Sequence, residues 1–320
     1  MNMKKLLSIL LALSMLFTLT AAVAEPAAKV AALKGPTAMG MVKMMSDDNG
    51  ETCDFSIHAA IDEITPLLVK GEVDIAAVPA NLASVLYNNT QGKVQVLAIN
   101  TLGVLYIVEN GSTVSSVEDL RGRTIYASGK GATPEYALNY LLTASGLDPE
   151  RDVNIEFKSE HSECLASLLA DEGSVAMLPQ PFVTTAQMKQ EGVNVVLDMT
   201  AEWDKLQEGS ENPSSMITGV VVGRTDFIQE HPEAVAAFLD SYHASVDFTN
   251  ANVDEAAAII GQYDIIPEAV AKKAVPHCSI VCIEGAEMQT RLSGYLSVLF
   301  EQNPKAVGGT LPDDAFYFKR

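Results

Sequence analysis

Two kinds of apolar pattern alternate along this chain, and together they predict an α/β protein. Short apolar runs bounded by glycine, proline or charged residues predict buried strands, for example at residues 73–78 and 175–178. Apolar positions three or four residues apart predict helices, for example at residues 134–146 and 286–302. Strands that alternate with helices are typical of sheets covered by helices.

One strand–loop–helix pattern occurs twice. The first copy has loops at residues 35–39 and 79–81, and the second has loops at residues 128–133 and 179–182. Ligands of open α/β sheets collect outside the carboxyl ends of strands, where helix N-termini offer free N–H groups. The repeat therefore predicts two lobes that face a shared cleft. For any one loop alone, an ordinary helix start with turn glycines explains the residues equally well.

The four loops supply groups that suit a small ligand. Ser128 offers a hydroxyl and Lys130 an ammonium group, and we expect Met39, Tyr126 and Phe182 to enclose an apolar part of the ligand. Arginine is absent from all four loops, which favours a neutral, zwitterionic or singly charged solute. The candidate ligand-binding residues are Gly35, Pro36, Thr37, Ala38, Met39, Pro79, Asn81, Ser128, Gly129, Lys130, Gly131, Thr133, Gln180 and Phe182.

The first residues have the pattern of a secretory signal peptide. Lys4 and Lys5 precede an apolar stretch at residues 6–20, and Ala22 and Ala24 form a small-residue cleavage pattern. We expect cleavage after Ala24 and export to the periplasm or the extracellular space; an uncleaved membrane anchor is the alternative. No cysteine lies near the cleavage point, so a lipid anchor is not expected there.

The chain is strongly acidic. It has 41 aspartates and glutamates against 21 lysines and arginines, for a formal net charge of −20. Because this charge repels phosphate backbones, the composition argues against nucleic acid as a partner.

Catalytic motifs are absent from the sequence. It contains no phosphate-binding P-loop, no Gly-x-Ser-x-Gly, no His-Glu-x-x-His and no Cys-x-x-Cys. His161 could be a metal ligand or an acid/base group, but a solvated loop is the favoured interpretation. A zinc site at His277, Cys278 and Cys282 is likewise the weaker alternative to buried free thiols. We therefore predict no catalytic residue, no cofactor and no metal.

Three segments carry a resemblance to a known group of proteins. Residues 73–81, residues 116–125 with the following glycine-rich loop, and residues 175–182 resemble solute-binding proteins of ABC importers. The most similar subgroup takes up taurine, other sulfonates, nitrate or pyrimidine precursors. The sequence departs from that subgroup in two places, where Ser174 and Gln180 stand in place of the usual acidic residues.

The resemblance implies a fold, a division into domains and a function. The fold is the two-lobed periplasmic-binding-protein fold of the second type, with five-stranded mixed sheets joined by two hinge strands. Residues 1–24 would be the signal peptide, residues 25–108 and 216–320 the first lobe, and residues 109–215 the second. The protein would act as a monomer that delivers a sulfonate, another small anion, a zwitterion or a pyrimidine-like solute to an ABC permease.

Two other functions fit the same residues. Some relatives of this fold are enzymes that make pyrimidine or quinone precursors, although this chain lacks the cysteine-rich stretch of the pyrimidine branch. A secreted ligand-sensing partner of a membrane receptor is the other alternative.

Overall fold

A computed structural model describes residues 28–48, 50–209 and 214–320. The predicted signal peptide and its cleavage site lie outside the described residues. Within those ranges, no helix combines the length and the apolar character that crossing a bilayer requires.

Strands and helices alternate over most of the described chain, as predicted. In chain order the strands are β1 (Ala28–Leu33), β2 (Cys53–His58), β3 (Ile75–Pro79), β4 (Val94–Leu102), β5 (Leu105–Asn110), β6 (Thr124–Ala127), β7 (Asn154–Phe157), β8 (Val175–Pro179), β9 (Val193–Asp198), β10 (Ile217–Arg224) and β11 (Ile280–Ile283). The α-helices are α1 (Pro36–Met39), α2 (Val42–Asp48), α3 (Ile61–Lys70), α4 (Ala80–Thr90), α5 (Thr133–Ala144), α6 (His161–Ala170), α7 (Phe182–Lys189), α8 (Met199–Gln207), α9 (Thr225–Glu230), α10 (Pro232–Ala251), α11 (Val253–Gln262), α12 (Glu268–Ala274) and α13 (Gly285–Gln302). Short 3₁₀ turns occur at Val117–Leu120, Val275–His277, Pro304–Val307 and Asp314–Phe316.

The strands form two mixed sheets, which confirms the predicted fold class. The first sheet has the order β11-β4-β10-β3-β1-β2, and the second has the order β7-β6-β8-β5-β9. We call the first sheet with helices α1–α4 and α9–α13 the first lobe, and the second sheet with helices α5–α8 the second lobe. The first sheet has six strands where five were expected, because β11 pairs with the edge of β4.

The chain passes between the sheets twice, and the two crossings touch. The first crossing is Gly103 and Val104, between β4 and β5, and the second runs from β9 through α8 to β10. A Cβ atom on Gly103 would overlap the Thr200 hydroxyl and the Met216 methyl group of the second crossing. Only glycine therefore fits there. The predicted lobe boundary after Val108 falls inside β5, a strand of the second sheet.

Helix α8 occupies part of residues 200–215, a polar segment whose sequence has no regular apolar pattern. The Asp198 side chain accepts hydrogen bonds at the helix start, including one from the Thr200 N–H. Met199 and Trp203, four residues apart, are both fully buried. One apolar pair thus anchors a helix whose other side chains are mostly polar.

Three aromatic rings connect the two lobes. Trp203 of α8 lies with its ring centroid 4.4 Å from that of Tyr140 in α5 and 5.6 Å from that of Tyr295 in α13. Its indole N–H also donates to the Ser214 hydroxyl at 3.0 Å. These contacts hold α5, whose first residue is the candidate Thr133, against the first lobe.

All four cysteines are free thiols in this structure. Cys53, Cys164 and Cys278 are buried, as predicted, whereas Cys282 is partly exposed.

Candidate ligand site between the two lobes

Each of the four candidate loops follows the carboxyl end of a strand, as the repeat predicted. Strands β1 and β3 are parallel neighbours in the first sheet, and β6 and β8 are parallel neighbours in the second. The chain leaves each of these strands into a helix, namely α1, α4, α5 and α7. Parallel strands end at the same edge of a sheet, so the two loops of each lobe lie side by side.

The first loop combines a tight turn with core residues. Gly35 has a φ of 126°, which side chains rarely allow, and a Cβ there would meet no other atom. The partly exposed Thr37 donates its hydroxyl to the Leu33 carbonyl at 3.0 Å. The side chains of Ala38 and Met39 are fully buried in the core of the first lobe. Met39 packs in this core, and its expected contact with a ligand stays a prediction.

Asn81 and Thr133 join the two lobes directly. The Asn81 Oδ1 atom accepts hydrogen bonds from the Thr133 N–H at 3.1 Å and from the Thr133 hydroxyl at 3.2 Å. The Asn81 amide nitrogen donates to the Ala306 carbonyl at 3.1 Å. Both candidate residues are almost fully buried, so in this structure they hold the lobes together. Pro79 lies just before Asn81 and is partly exposed as the N-cap of α4.

Ser128, His161 and Phe182 form a cluster in the second lobe. The Ser128 Oγ atom lies 2.5 Å from His161 Nδ1, and the His161 and Phe182 ring centroids are 5.2 Å apart. Burial lowers the pKa of His161 from 6.5 to about 4, so the imidazole is neutral at pH 7. His161 was interpreted as a solvated loop residue, and that interpretation is wrong. It begins helix α6 and bonds a candidate residue that lies 33 positions away in the sequence.

The glycine-rich loop of the second lobe uses several of its groups internally. The Lys130 ammonium lies 5.7 Å from the centroid of the Phe157 ring, an arrangement that allows a cation–π contact. The Gly131 N–H donates to Glu135 Oε2 at 2.5 Å. Gly129 and Gly131 both have a φ of 78°, which explains why glycine occupies both positions.

Gln180 belongs to a cavity at the junction of the lobes. Its Oε1 atom accepts a hydrogen bond from the Thr184 hydroxyl at 2.9 Å. The cavity has a volume of about 450 Å³, and it is lined by Tyr106, Gln180, Thr184, Gln187, Met188, Val195, Lys273 and His277. The Tyr106 hydroxyl donates to the His277 carbonyl at 3.5 Å, and this hydrogen bond also joins the two lobes.

Asn100 is a buried polar residue that the sequence analysis did not identify. Its side chain is fully buried, and neither its Oδ1 nor its Nδ2 has a hydrogen-bond partner among the described residues. The pairing of β4 with β10 is irregular here, and such bulges occur next to functional sites. A Cβ on Gly219 would meet both Asn100 Oδ1 and the Thr37 methyl group, so the Asn100 amide lies beside the first candidate loop. Leaving such a group unpaired costs about 1–3 kcal/mol, which makes Asn100 a candidate for ligand contact.

The family profile described as "ABC transporter, phosphonate, periplasmic substrate-binding protein" matches residues 37–264. This range includes the candidate loops from Thr37 to Phe182 and both crossings between the sheets.

Solved structures with the same fold come from several bacteria. The crystal structure of an ABC transporter protein from Parabacteroides distasonis is 23% identical, with a TM-score of 0.77, over 92% of this chain and 100% of that chain. The periplasmic aliphatic sulphonate binding protein of Escherichia coli is 13% identical, with a TM-score of 0.71, over 92% of each chain. The alkanesulfonate-binding protein of Xanthomonas axonopodis pv. citri, bound to MOPS, is 13% identical, with a TM-score of 0.68, over 91% of this chain and 96% of that chain.

A Brucella abortus protein whose name describes it as a binding protein is 21% identical over 210 residues, which are 63% of this chain. The match spans 62% of the length of that relative. The profile match, which covers more than half of the sequence, agrees with the resemblance found in the sequence. The chain therefore belongs to the family of phosphonate-type periplasmic substrate-binding proteins of ABC transporters.

Proposed function

We propose that this protein is the solute-binding component of an ABC importer, and that it holds a small solute with one sulfonate or phosphonate group between its lobes. Family membership and the names of two structural neighbours, which bind sulfonates, support this class of solute. The observation that carries the proposal is the Ser128–His161–Phe182 cluster at the carboxyl ends of the second-lobe strands.

The cluster offers the groups that an oxyanion with an apolar tail requires. The Ser128–His161 pair uses one donor for its internal hydrogen bond and keeps one, the Ser128 O–H or the His161 Nε2–H, for an oxygen of the anion, and the Phe182 ring supplies an apolar wall. From the first lobe, the unpaired Asn100 amide lies near the corresponding strand ends, and the Thr37 hydroxyl would donate there only after it leaves the Leu33 carbonyl. Neutral donors of this kind recognise an anion by hydrogen bonds and not by ion pairing.

A singly charged solute fits these groups best. His161 is neutral at pH 7, and the Lys130 ammonium lies over Phe157. Because no arginine occurs in the four loops, a second negative charge would lack a guanidinium partner. We therefore expect a sulfonate or a phosphonate monoanion to bind more tightly than a dianion.

Binding is coupled to the contact between the lobes. A ligand shifts an open–closed equilibrium only through its higher affinity for one state. The Asn81–Thr133 bonds stabilise the state in which the lobes touch, and a solute that contacts both lobes would stabilise the same state. The two crossings that meet at Gly103 would act as the hinge.

The remaining features of the proposal follow from the family and the sequence. We propose that the protein is exported, that its signal peptide is cleaved after Ala24, and that it acts as a monomer. We place the lobe boundaries at residues 103 and 216. The closed form would dock on the permease, and no turnover of the solute is expected.

The experiment is a thermal-shift panel followed by titration calorimetry. The panel contains alkyl sulfonates, alkyl phosphonates, nitrate, bicarbonate, pyrimidines and amino acids. A ligand that binds the folded state raises the melting temperature with concentration. We expect a monoanionic sulfonate or phosphonate to do so. Stabilisation by neutral pyrimidines alone would contradict the proposed solute class, and steady turnover of any compound would favour an enzyme.

Matched variants test the placement of the site. Ser128→Ala and His161→Ala each break the Ser128–His161 pair and with it the hydrogen bond that the pair would donate to the charged group, so each should lower affinity about tenfold to a hundredfold. Ser162→Ala, which changes an exposed hydroxyl beside His161, should leave affinity unchanged. Equal affinities for all three variants and the unmodified protein would show that the solute binds elsewhere.

Asn100→Leu separates a role in binding from a role in folding. Replacing an unpaired buried amide with an apolar side chain of similar volume should raise the free energy of unfolding without ligand. If Asn100 contacts the solute, the same variant should bind it more weakly. Higher stability with unchanged affinity would show that Asn100 does not contact the solute.

A further inference from the structure

Two metal-ligand pairs face each other on the surface of the first lobe. Helix α10 carries His243 and, one turn later, Asp247, so both side chains lie on the same face of the helix. Strand β11 carries Cys282, and Glu284 follows two residues later, on the same side of the extended chain. Each spacing places two donor groups next to each other, one pair on helix α10 and the other at the end of strand β11.

The donor atoms converge closely. One donor atom from each of His243, Cys282 and Glu284 lies within 4.8 Å of the others. A tetrahedral zinc ion, with bonds of about 2.0–2.3 Å, holds its donor atoms about 3.5 Å apart. Small rotations of the three side chains, with donor shifts of about 1 Å, would therefore complete this geometry.

The charges around this group favour a divalent cation. The Asp247 Oδ2 atom lies 3.6 Å from His243 Nε2. Arg320 is the basic residue that contacts the group, at 3.8 Å from Glu284 Oε2, and it also bonds Asp240 at 2.5 Å. Three carboxylates thus stand against one guanidinium, which leaves an excess of negative charge that a cation would balance.

An ordinary surface salt-bridge cluster accounts for the carboxylates and the arginine, but not for the thiol. Cys53, Cys164 and Cys278 are buried, and Cys282 is the only partly exposed one. The Cys282 thiol lies 3.7 Å from Glu284 Oε1, and the imidazole of His243 lies beside both. Thiolate, imidazole and carboxylate together are the donors that zinc prefers.

We propose that His243, Cys282 and Glu284 bind a zinc-class divalent cation, with Asp247 or a water molecule as the fourth ligand. The ion would fasten helix α10 to strand β11 within the first lobe. None of the candidate solute-binding residues belongs to this group. A test of the metal site therefore leaves the proposed solute site unaffected, and a test of the solute site leaves the metal site unaffected.

The test is a titration of the purified protein, free of any affinity tag, with Zn²⁺ and with Co²⁺ as a spectroscopic probe. We expect one ion per chain and, with Co²⁺, the near-ultraviolet absorption of a cobalt–thiolate bond. Cys282→Ala should abolish that absorption band. His243→Ala should weaken Zn²⁺ binding at least about tenfold.

The control uses His277 and Cys278, which together with Cys282 formed the weaker zinc alternative in the sequence. His277→Ala and Cys278→Ala should retain both the stoichiometry and the cobalt–thiolate band. Circular dichroism of each variant without metal identifies any loss of folding. Binding without a thiolate band, or equal binding by the Cys282→Ala protein, would overturn the proposal, as would the absence of binding at millimolar Zn²⁺.

Discussion

Acid should destabilise this protein through His161. Its pKa is about 4 in the folded protein and 6.5 in its ordinary state, because burial disfavours the imidazolium form. The unfolded chain therefore takes up a proton near pH 6.5, whereas the folded protein does so only near pH 4. The contribution of His161 to the free energy of unfolding is therefore fully present above pH 6.5 and is lost as the pH decreases from 6.5 to 4.

The magnitude follows from the two pKa values. A difference of 2.5 units corresponds to about 3 kcal/mol once both states are protonated. Between pH 7.5 and pH 5.0 the linkage relation gives a loss of about 2 kcal/mol. Carboxylates also take up protons toward the acid end of this window. A variant that lacks only His161 has the same carboxylates, so their contribution cancels when the two proteins are compared.

The assay is urea-induced unfolding of the unmodified protein and of His161→Gln at pH 7.5 and pH 5.0. We expect the stability difference between the two proteins to shift by about 2 kcal/mol in favour of the variant at pH 5.0. His231→Gln, at the start of helix α10, controls for the general effect of removing a histidine. If the unmodified protein and His161→Gln lose equal stability, the burial argument for His161 is refuted.

The same experiment with ligand connects this prediction to function. An anion bound beside His161 would favour the imidazolium form and raise its pKa. With saturating sulfonate or phosphonate, the loss of stability between pH 7.5 and pH 5.0 should therefore become smaller. An unchanged loss in the presence of a bound ligand would place that ligand away from His161.

Three further outcomes are expected. Tyr87→Phe removes the hydroxyl that donates to Asp313 Oδ1 at 2.5 Å, so urea unfolding should show a loss of about 1 kcal/mol, whereas Tyr263→Phe at an exposed position should show none. Glu109→Ala removes a fully buried carboxylate that accepts hydrogen bonds from the N–H and hydroxyl groups of Thr113, and the free energy of unfolding should fall by about 3 kcal/mol. Because all four cysteines are free thiols, adding a reductant should leave the melting temperature unchanged; a decrease would indicate a disulfide.

The positions of the four loops could be predicted because local chemistry determines them. Gly35 adopts a φ that other residues rarely allow, and Pro79 and Pro181 mark the points where strands end and helices begin. Apolar runs between such residues are long enough for one buried strand each. These signals lie within a few positions of one another, so no long-range information is required.

Strand β2 and helix α8 were not predicted from the sequence, for two different reasons. Strand β2 is the edge of the first sheet, and its apolar residues alternate with polar ones at Asp54, Ser56 and His58. Helix α8 has two buried anchors among acidic and polar residues. The alternation in β2 is itself a strand signal, whereas α8 depends on the aromatic neighbours that only the folded chain provides.

The contacts within the candidate site could not be derived from the sequence. His161 meets Ser128 across 33 residues, and Asn81 meets Thr133 across 52 residues. The first contact depends on the order of strands in the second sheet, and the second depends on the closeness of the two lobes. The bulge that turns Asn100 toward Gly219 is likewise a property of strand pairing.

A crystal structure of the protein with the solute that it retains during purification tests the central claim most directly. The account predicts an oxyanion within hydrogen-bond distance of Ser128 and His161, with Thr37 of the other lobe on its opposite side. A solute bound on the outer surface of one lobe, or one with no contact to Ser128 or His161, would contradict it.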